Sequence, residues 1–483
     1  MAVFTKRNKE IFIFFLICFS IANFNIWGIL LYYLHSYFKY FDETITVKDV
    51  FGLTYLMYIG LLISSWVLPS ILSIFGFKNA IRIGSLIYAL NCIMSYSTLY
   101  WPLIMLNTTL LGFCFRYMQT LTILYFKTNY PEDPAKCYGI STTGMVIGGI
   151  VWGNLMTFYI NPDNLNPNKI FTKGNYEELY FSFDIANRFK GIMNIQAIFN
   201  IFLVFTLSFC FKEPEGYQSN LNEFWKLLIN KENRLSNKIQ KTSSSLDKSI
   251  SFCDKSFSDD EKDQELIEKR IEDKEKANEK TVKQRAIEEL KSTRFILIVF
   301  ISIFRKSFPS YLIDNIKIFG SLIVHNDQLV TNLYAFAGFI ATITMTFASS
   351  IVNRFGLFYC FVCMIIINMI IEVFGITIMK SSPLLFMICI PLSRIVGNIN
   401  NIIGFMTIFS NYDADLALQM NKIFDSHVLI ANILVVILNN LFYSPGSFYL
   451  VFLVYLLLDG IALLLTLFKL KPLVKDNKIW LIK

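Results

Sequence analysis

The sequence predicts an all-α membrane protein with twelve transmembrane helices in two pseudo-symmetric six-helix bundles. Three observations predict it: twelve long apolar segments, a charged stretch between the sixth and the seventh, and a loop pattern present in both halves. Of the 483 residues, 54% are hydrophobic and 17% are charged, whereas soluble domains carry about 25% charged residues. A spanning helix needs roughly 20 apolar residues, and each segment reaches that length.

The apolar segments are predicted to be helices because an unpaired backbone group is costly in hydrocarbon. Spans 1 to 6 are expected at 11–34, 48–74, 81–100, 102–126, 138–160 and 191–211. Spans 7 to 12 are expected at 295–322, 328–352, 357–379, 383–409, 423–443 and 446–469. The first segment is expected to stay in the protein, because its length of about 24 residues exceeds that of a signal-peptide core.

A charged stretch separates the two halves. Lys212–Arg294 holds 18 Lys and Arg against 18 Asp and Glu, so it carries no net charge. The expected domains are therefore a bundle at 1–211, a cytoplasmic linker at 212–293, and a second bundle with a short basic tail at 294–483. The linker is interpreted as a spacer, and a Ser-rich patch at 243–258 leaves regulation by phosphorylation open.

Basic residues in the loops predict the orientation. The loops on the side of the termini hold 14 Lys and Arg without the linker, and the opposite loops hold 7. This excess predicts a multi-pass protein with both termini in the cytoplasm. The plasma membrane is the expected location, and an organelle membrane is the alternative.

An internal repeat relates the two halves. Phe75-Gly76 ends span 2 and is followed by Pro102 at the start of span 4; Phe355-Gly356 ends span 8 and is followed by Pro383 at the start of span 10. Repeats of this kind place a solute site near the midplane between the halves. Two G-x-x-x-G pairs in span 5, Gly144/Gly148 and Gly149/Gly153, predict close helix packing.

These features resemble the major facilitator superfamily. The loop motif Asn353-Arg354-Phe355-Gly356 fits the end of its [DN]-R-x-G signature, and its counterpart in the first half keeps only Gly76. Within the superfamily, Tyr125-Phe126, Tyr130-Pro131 and Ala135 to Gly144 resemble monocarboxylate porters and oxalate–formate antiporter-like proteins. The resemblance implies that spans 1, 4, 7 and 10 line a central cavity. No charge falls in 11–34 or 328–352, which departs from that subgroup.

Charged residues within spans are candidates for function or for buried pairs. The predicted substrate-binding residues are Arg116 in span 4, Arg305 and Lys306 in span 7, and Arg394 in span 10, because guanidinium groups bind carboxylates in a bidentate way. Arg305 and Lys306 lie about 100° apart on a helix, so only one is expected to face the cavity. The alternative for Arg116 and Arg394 is a structural or gating ion pair with Asp314, Asp425 or Glu372.

Three residues are candidates for proton coupling or ion pairing: Asp314, Asp425 and His427. For Asp425, a plain position at a helix start is the alternative interpretation. Glu372 and Asp459 fall on spans 9 and 12, which are expected to be peripheral, and both are interpreted as structural. Pro309 and Pro391 are expected to kink spans 7 and 10.

The sequence predicts a secondary active transporter of a small organic anion, such as a mono- or dicarboxylate, working by alternating access as a symporter or antiporter. The alternatives are a carrier of a neutral or zwitterionic nutrient and a non-transporting receptor. No H-E-x-x-H, G-x-S-x-G or G-x-x-x-x-G-K-[ST] motif occurs, so an enzyme is not expected. The expected partners are a solute, the lipid bilayer and candidate coupling protons; the expected state is a monomer without cofactor, metal or nucleic acid.

Overall fold

The computed structural model describes residues 5–97, 100–130, 132, 134–173, 176–213, 284–409, 412, 414–442 and 448–474. The helices of these residues form twelve spans. Because the number of spans is even, the first and last described residues lie on the same side, here called the terminal face. The opposite side is called the hairpin face, after the two strands that lie there.

The N-terminal half comprises spans 1 to 6. Span 1 is Lys6–Ser20, Ala22–Phe24 and Trp27–Lys39; spans 2 and 3 are the two arms of Val47–Ser97; spans 4, 5 and 6 are Trp101–Asn129, Pro134–Ile160 and Phe183–Ser208. Between spans 5 and 6, strands β1 (Lys169–Lys173) and β2 (Tyr176–Tyr180) pair as an antiparallel hairpin. No strand was predicted there from the sequence.

The C-terminal half comprises spans 7 to 12. Span 7 is Thr293–Asp314 with Ile316–Ile323; spans 8 and 9 are the arms of Asp327–Ser381; span 10 is Pro383–Phe409; span 11 is Ala414–Phe424 with Ser426–Phe442; span 12 is Phe448–Leu465, Thr466–Leu470 and Lys471–Val474. The helices of spans 6 and 11 begin about two turns earlier than expected, because their polar first turns lack the apolar signal of the membrane-embedded part. The linker expected at 212–293 falls largely outside the described residues.

Seven helical stretches of the described residues are long and apolar enough to cross a membrane by composition alone, one of them being Val47–Met94, which contains two spans. Spans 1, 4, 8 and 10 are not among these seven stretches. Breaks shorten the helices of span 1, and polar residues such as Arg116 and Gln119 lower the hydropathy of span 4. Spans that are polar in this way need neighbours other than lipid on part of their surface.

The repeated loop has the same backbone conformation in both halves. Gly76 has φ 73° and ψ 174°, and Gly356 has φ 80° and ψ 155°. This region of backbone space is essentially open to glycine alone. After Gly76, the amide groups of Phe77 and Lys78 donate to the carboxylate of Glu213 at 2.7 and 3.0 Å, which caps the start of span 3. The repeat in the sequence is therefore a structural repeat.

Gly76→Ala and Gly356→Ala are each expected to destabilise the protein by about 1–3 kcal/mol, because alanine is strained in this conformation. The melting temperature of the purified protein in detergent measures the effect. Gly460→Ala is the control, since nothing lies within 4 Å of a methyl group added there. If both loop variants have the same melting temperature as the wild type, the strain argument is wrong.

Glycines bring helix backbones together within the N-terminal half. A Cβ atom at Gly144 or Gly148 would meet the backbone of span 1, 2.0 Å from the Phe15 oxygen or 2.3 Å from the Phe19 oxygen. Added Cβ atoms at Gly149 and Gly153 would lie 3.3 Å or more from their neighbours. The first G-x-x-x-G pair is therefore a packing motif, whereas the second pair is packed less closely against its neighbours.

A short helix at 284–290 packs on the terminal face of the C-terminal half. Its residue Ala286 is buried in the core there. Glu289 accepts hydrogen bonds from Arg294 at 2.6 Å and from Tyr412 at 2.8 Å. Burial disfavours the charged form of Glu289, but these bonds outweigh it and hold the pKa of the carboxyl below its usual value. The end of the linker segment is thereby fixed to this half.

Candidate functional site

Arg116 and Asp425 form an ion pair between the two halves. Arg116 lies in the middle of span 4, and Asp425 lies at the break within span 11, between Phe424 and Ser426. The Nε atom of Arg116 donates to Asp425 Oδ2 at 2.8 Å, and its Nη2 atom pairs with Oδ1. Both side chains are nearly removed from solvent, with exposed fractions of 10% and 2%. This fork geometry is the strongest form of a charge-assisted pair.

Polar side chains from both halves surround this pair. Ser65 of span 2 donates to Asp425 Oδ2. Asn421 of span 11 donates to the same oxygen at 3.1 Å and accepts from Arg116 at 3.4 Å. Arg116, Ser65, Asn421 and Asp425 are called the central network below. Among the alternatives left open for Arg116, the ion pair is the arrangement present in this conformation.

A small cavity adjoins the central network. Its volume is about 30 Å³, and its lining includes Arg116, Arg305, Lys306, Asp425 and His427. A water molecule needs about 10–15 Å³ measured in this way, so the cavity holds about two waters and no organic solute. Both Arg305 and Lys306 line it, contrary to the expectation that only one would. The described lining carries three basic groups against one carboxylate.

The position of Arg305 depends on Pro309. Proline has no N–H, so the helical hydrogen bond from residue 309 to the Arg305 carbonyl is missing. The side-chain amides of Asn368 in span 9 and Asn400 in span 10 each donate to that carbonyl at 3.1 Å. The guanidinium of Arg305 lies 3.9 Å from the ring centroid of Phe361. Pro309 thus leaves free a backbone acceptor that two neighbouring spans use.

Arg394 also contacts a carbonyl that a helix break has freed. In span 1 the amide of Ile29 bonds to Ile26 rather than to Asn25. Arg394 donates to the Asn25 carbonyl at 3.2 Å, and its guanidinium lies 4.7 Å from the ring centroid of Tyr334. This contact joins span 10 to span 1 across the interface between the halves. Arg394 is not part of the lining of the 30 Å³ cavity.

Lys306 connects these two regions electrostatically. It interacts with Arg116 and Arg305 on one side and with Arg394 and Asp314 on the other. Asp314 ends the first helix of span 7, is 8% exposed, and interacts with Lys306 and Arg394. Together the cluster contains four basic groups and two carboxylates, an excess of two positive charges when the carboxylates are ionised.

His427 lies beside the central network. Its Nδ1 atom is 2.5 Å from the Phe424 carbonyl, and the two rings are 4.3 Å apart. Because a carbonyl only accepts hydrogen bonds, Nδ1 carries the proton and Nε2 is the ring's acceptor. The sequence predicted His427 as a proton-coupling residue together with Asp425, and the structure places both at the same cavity.

A second network closes the hairpin face. Lys317 donates to Asp327 Oδ1 at 2.5 Å and to Thr331 at 2.5 Å. Tyr33 of span 1 and Asn161 at the end of span 5 donate to Asp327 Oδ2 at 2.6 and 3.0 Å. These residues are called the hairpin-side network. It joins spans 7 and 8 of one half to spans 1 and 5 of the other, so the two halves are bonded together on this side.

The hairpin-side network was not predicted from the sequence. Asp327 stood just outside the expected start of span 8 and was not among the candidate residues. The available signal was a lysine near the end of span 7, Lys317, followed after a short turn by a carboxylate, Asp327, at the start of span 8. The loop motif lies elsewhere: Arg354 is exposed next to Phe355, and Gly356 forms the turn on the terminal face.

Comparisons with known proteins define the fold. No family model matches the chain, and no curated protein matches it significantly. Among solved structures it is similar to a D-xylose–proton symporter, with a TM-score of 0.59 and 12% identity over 95% of this chain and 98% of that one. It is also similar to the xylose transporter XylE from E. coli in a partially occluded inward-open conformation, with a TM-score of 0.58, 11% identity and 95% and 97% coverage.

A nucleoside transporter, NupG, gives a TM-score of 0.55 with 13% identity over 94% of this chain and 98% of that one. At these identities the likeness concerns the fold and not the solute. The likeness extends over nearly the whole of each chain, so it covers all twelve spans. This chain has the all-α membrane fold of the major facilitator superfamily.

Proposed function

We propose that the protein is a secondary transporter that moves a small organic anion by alternating access. The observation that carries this proposal is the basic cluster at the interface between the halves. Arg116, Arg305, Lys306 and Arg394 lie at this interface with the carboxylates of Asp314 and Asp425. Among the described residues, Asp459 inside the C-terminal half also interacts with Arg305. An excess of positive charge in a desolvated site favours a ligand that brings negative charge.

The contacts between the halves support alternating access. The central network and the hairpin-side network both contain bonds between the N-terminal and C-terminal halves. A solute enters only when one set of these bonds has opened, because the present cavity holds about two waters. Rocking of spans 1–6 against spans 7–12 opens one face while it closes the other.

In this mechanism the anionic group of the solute contacts the basic cluster. Arg116 offers a planar fork that matches a carboxylate, and in the closed state Asp425 occupies that fork. Lys306 and Arg305 supply further positive charge along the same cavity. The candidate coupling protons have acceptors beside the solute in Asp425 and in the Nε2 atom of His427.

A second candidate is a neutral solute rich in hydroxyl groups. It is favoured by the pairing of Arg116 with Asp425, which leaves that guanidinium neutralised, and by the amides of Asn400 and Asn421 in the cavity lining. The similar structures include transporters of D-xylose and of nucleosides. The two candidates differ in whether the cationic side chains determine uptake.

A counterflow assay in proteoliposomes separates the candidates. Vesicles are loaded with one unlabelled mono- or dicarboxylate at a time, or with a pentose, a nucleoside or an amino acid, and uptake of the labelled form is measured. For an anion, Lys306→Gln is expected to weaken apparent affinity about tenfold to a hundredfold, because a charge-assisted hydrogen bond contributes roughly 1.5–3 kcal/mol. Arg188→Gln, an exposed arginine on span 6, is the control.

The outcomes are distinct. Saturable exchange of a carboxylate that Lys306→Gln weakens supports the anion. Exchange of a pentose or nucleoside that Lys306→Gln leaves unchanged supports the neutral solute and rules the anion out. Proteoliposomes that exchange none of these compounds, while the protein remains folded, contradict the proposal.

A further inference from the structure

Two carboxyl groups lie inside the C-terminal half, away from the interface with the other half. Glu372 of span 9 is fully buried, and Asp459 of span 12 is 1% exposed. Although far apart in sequence, the two carboxyl groups lie within hydrogen-bonding reach of each other. Neither takes part in the central or the hairpin-side network.

The surroundings of this pair are polar but sparse. Arg305 faces it from span 7, Tyr455 lies one turn before Asp459 on span 12, and Asn368 lies one turn before Glu372 on span 9. Arg305 and Tyr455 are the titratable groups that interact with the pair. Within the described part of the chain, Arg305 forms no ion pair with either carboxyl, and its Nε and Nη1 atoms have no hydrogen-bond partner.

Apart from the amide of Asn368, which interacts with Asp459, the four carboxyl oxygens of Glu372 and Asp459 have no hydrogen-bond donor among the described residues. Two ionised carboxylates accept hydrogen bonds only, so they cannot bond to each other. Side by side in an apolar interior they repel, and each also loses its hydration. A proton held between the two groups removes both problems, because it supplies the missing donor and halves the charge.

We propose that Glu372 and Asp459 form a proton-binding site that holds one shared proton and joins span 9 to span 12. With one proton the pair carries a single negative charge, which the positive charge of Arg305 balances. Arg305 also lines the central cavity, so loss of the proton changes the electrostatic environment of a cavity residue. The site does not depend on the identity of the solute.

The sign of the pH effect follows from this charge balance. The folded pair binds one proton at neutral pH, whereas two solvated carboxyls in an unfolded chain bind none there. The stability of the folded protein therefore falls as pH rises through the range in which the folded pair holds a proton and the unfolded carboxyls do not. It levels off once the folded pair has lost its proton as well. Glu372→Gln and Asp459→Asn each place a permanent amide donor beside the remaining carboxylate.

Thermal unfolding of the purified full-length protein tests the site. Melting temperatures are measured by tryptophan fluorescence between about pH 5 and pH 9, a range that includes neutral pH and alkaline conditions. The wild type is expected to lose stability toward alkaline pH, and Glu372→Gln and Asp459→Asn are expected to flatten that slope. Asp163→Asn, an exposed carboxyl on the hairpin face, is expected to keep the wild-type profile.

Profiles of both amide variants that run parallel to the wild type overturn the proposal. If the variants do not fold, infrared spectroscopy of an Asp314→Asn protein provides the second measurement. This substitution removes a third buried carboxyl that could give the same band, whereas Asp425 and Asp327 are held in ion pairs with Arg116 and Lys317. A carbonyl stretch of a protonated carboxyl that is present at neutral pH and lost at alkaline pH supports the site. Absence of that band at neutral pH contradicts it.

Discussion

Arg116→Gln is expected to destabilise the protein by about 3–5 kcal/mol, because it leaves the buried carboxylate of Asp425 without its partner. Asp425→Asn is expected to cost a similar amount through the uncompensated guanidinium. The double variant removes both charges and is expected to regain much of the loss. The melting temperature and the yield of monodisperse protein after size-exclusion chromatography measure these effects.

Transport separates the structural role of Arg116 from its binding role. If Arg116 also binds the solute, the stable double variant remains inactive in counterflow, whereas a pair with a purely structural role regains activity along with stability. Arg188→Gln, which removes an exposed arginine, is the control for effects of losing an arginine at any position. If the loss of stability in the double variant equals the sum of the losses in the two single variants, Arg116 and Asp425 are not energetically coupled. That result contradicts the ion pair between them.

Asp327→Asn is expected to open the hairpin face. This carboxylate is the common acceptor for Lys317, Tyr33 and Asn161, and breaking a buried pair of this kind costs about 3–5 kcal/mol. Thr157, whose hydroxyl lies 2.9 Å from that of Thr331 across the interface, is 1% exposed. A cysteine at position 157 is therefore expected to react with a membrane-impermeant maleimide only when Asp327 is replaced.

Two variants complete this test. Asp163→Asn removes an exposed carboxylate from the same face and is expected to leave the cysteine protected. Lys317→Met combined with Asp327→Asn removes both buried charges and is expected to restore protection. Equal labelling rates with and without Asp327 show that the hairpin-side network does not control access.

The sequence predicted the twelve spans because a backbone in hydrocarbon must satisfy its own hydrogen bonds, which a helix does within one segment. It also predicted the position of Arg116 and Asp425 within spans, since a charge in an apolar segment is conspicuous. The pairing between them could not be predicted, because several carboxylates were available to each arginine and tertiary packing selects one. Whether these residues bind a solute remains a prediction.

Uncharged polar residues were harder to interpret. Asn368 and Asn400 sit in spans at a modest energetic cost, so their presence in the sequence carried little information. Their role depends on a carbonyl that only the proline at 309 leaves free, and backbone acceptors are not visible in a sequence. Glu372 and Asp459 were each interpreted as structural because spans 9 and 12 were assigned to the periphery. The contact between the two residues depends on the packing of span 9 against span 12, which the sequence does not show.

Pro309 also constrains which substitutions the chain can accept and in which order. While proline occupies position 309, loss of Asn368 or Asn400 removes a donor from the buried Arg305 carbonyl. Once Pro309 becomes alanine, the restored amide can serve that carbonyl, and either asparagine becomes dispensable. The three positions are thus epistatic: the same asparagine substitution is harmful in one background and nearly neutral in the other, so the proline must change first.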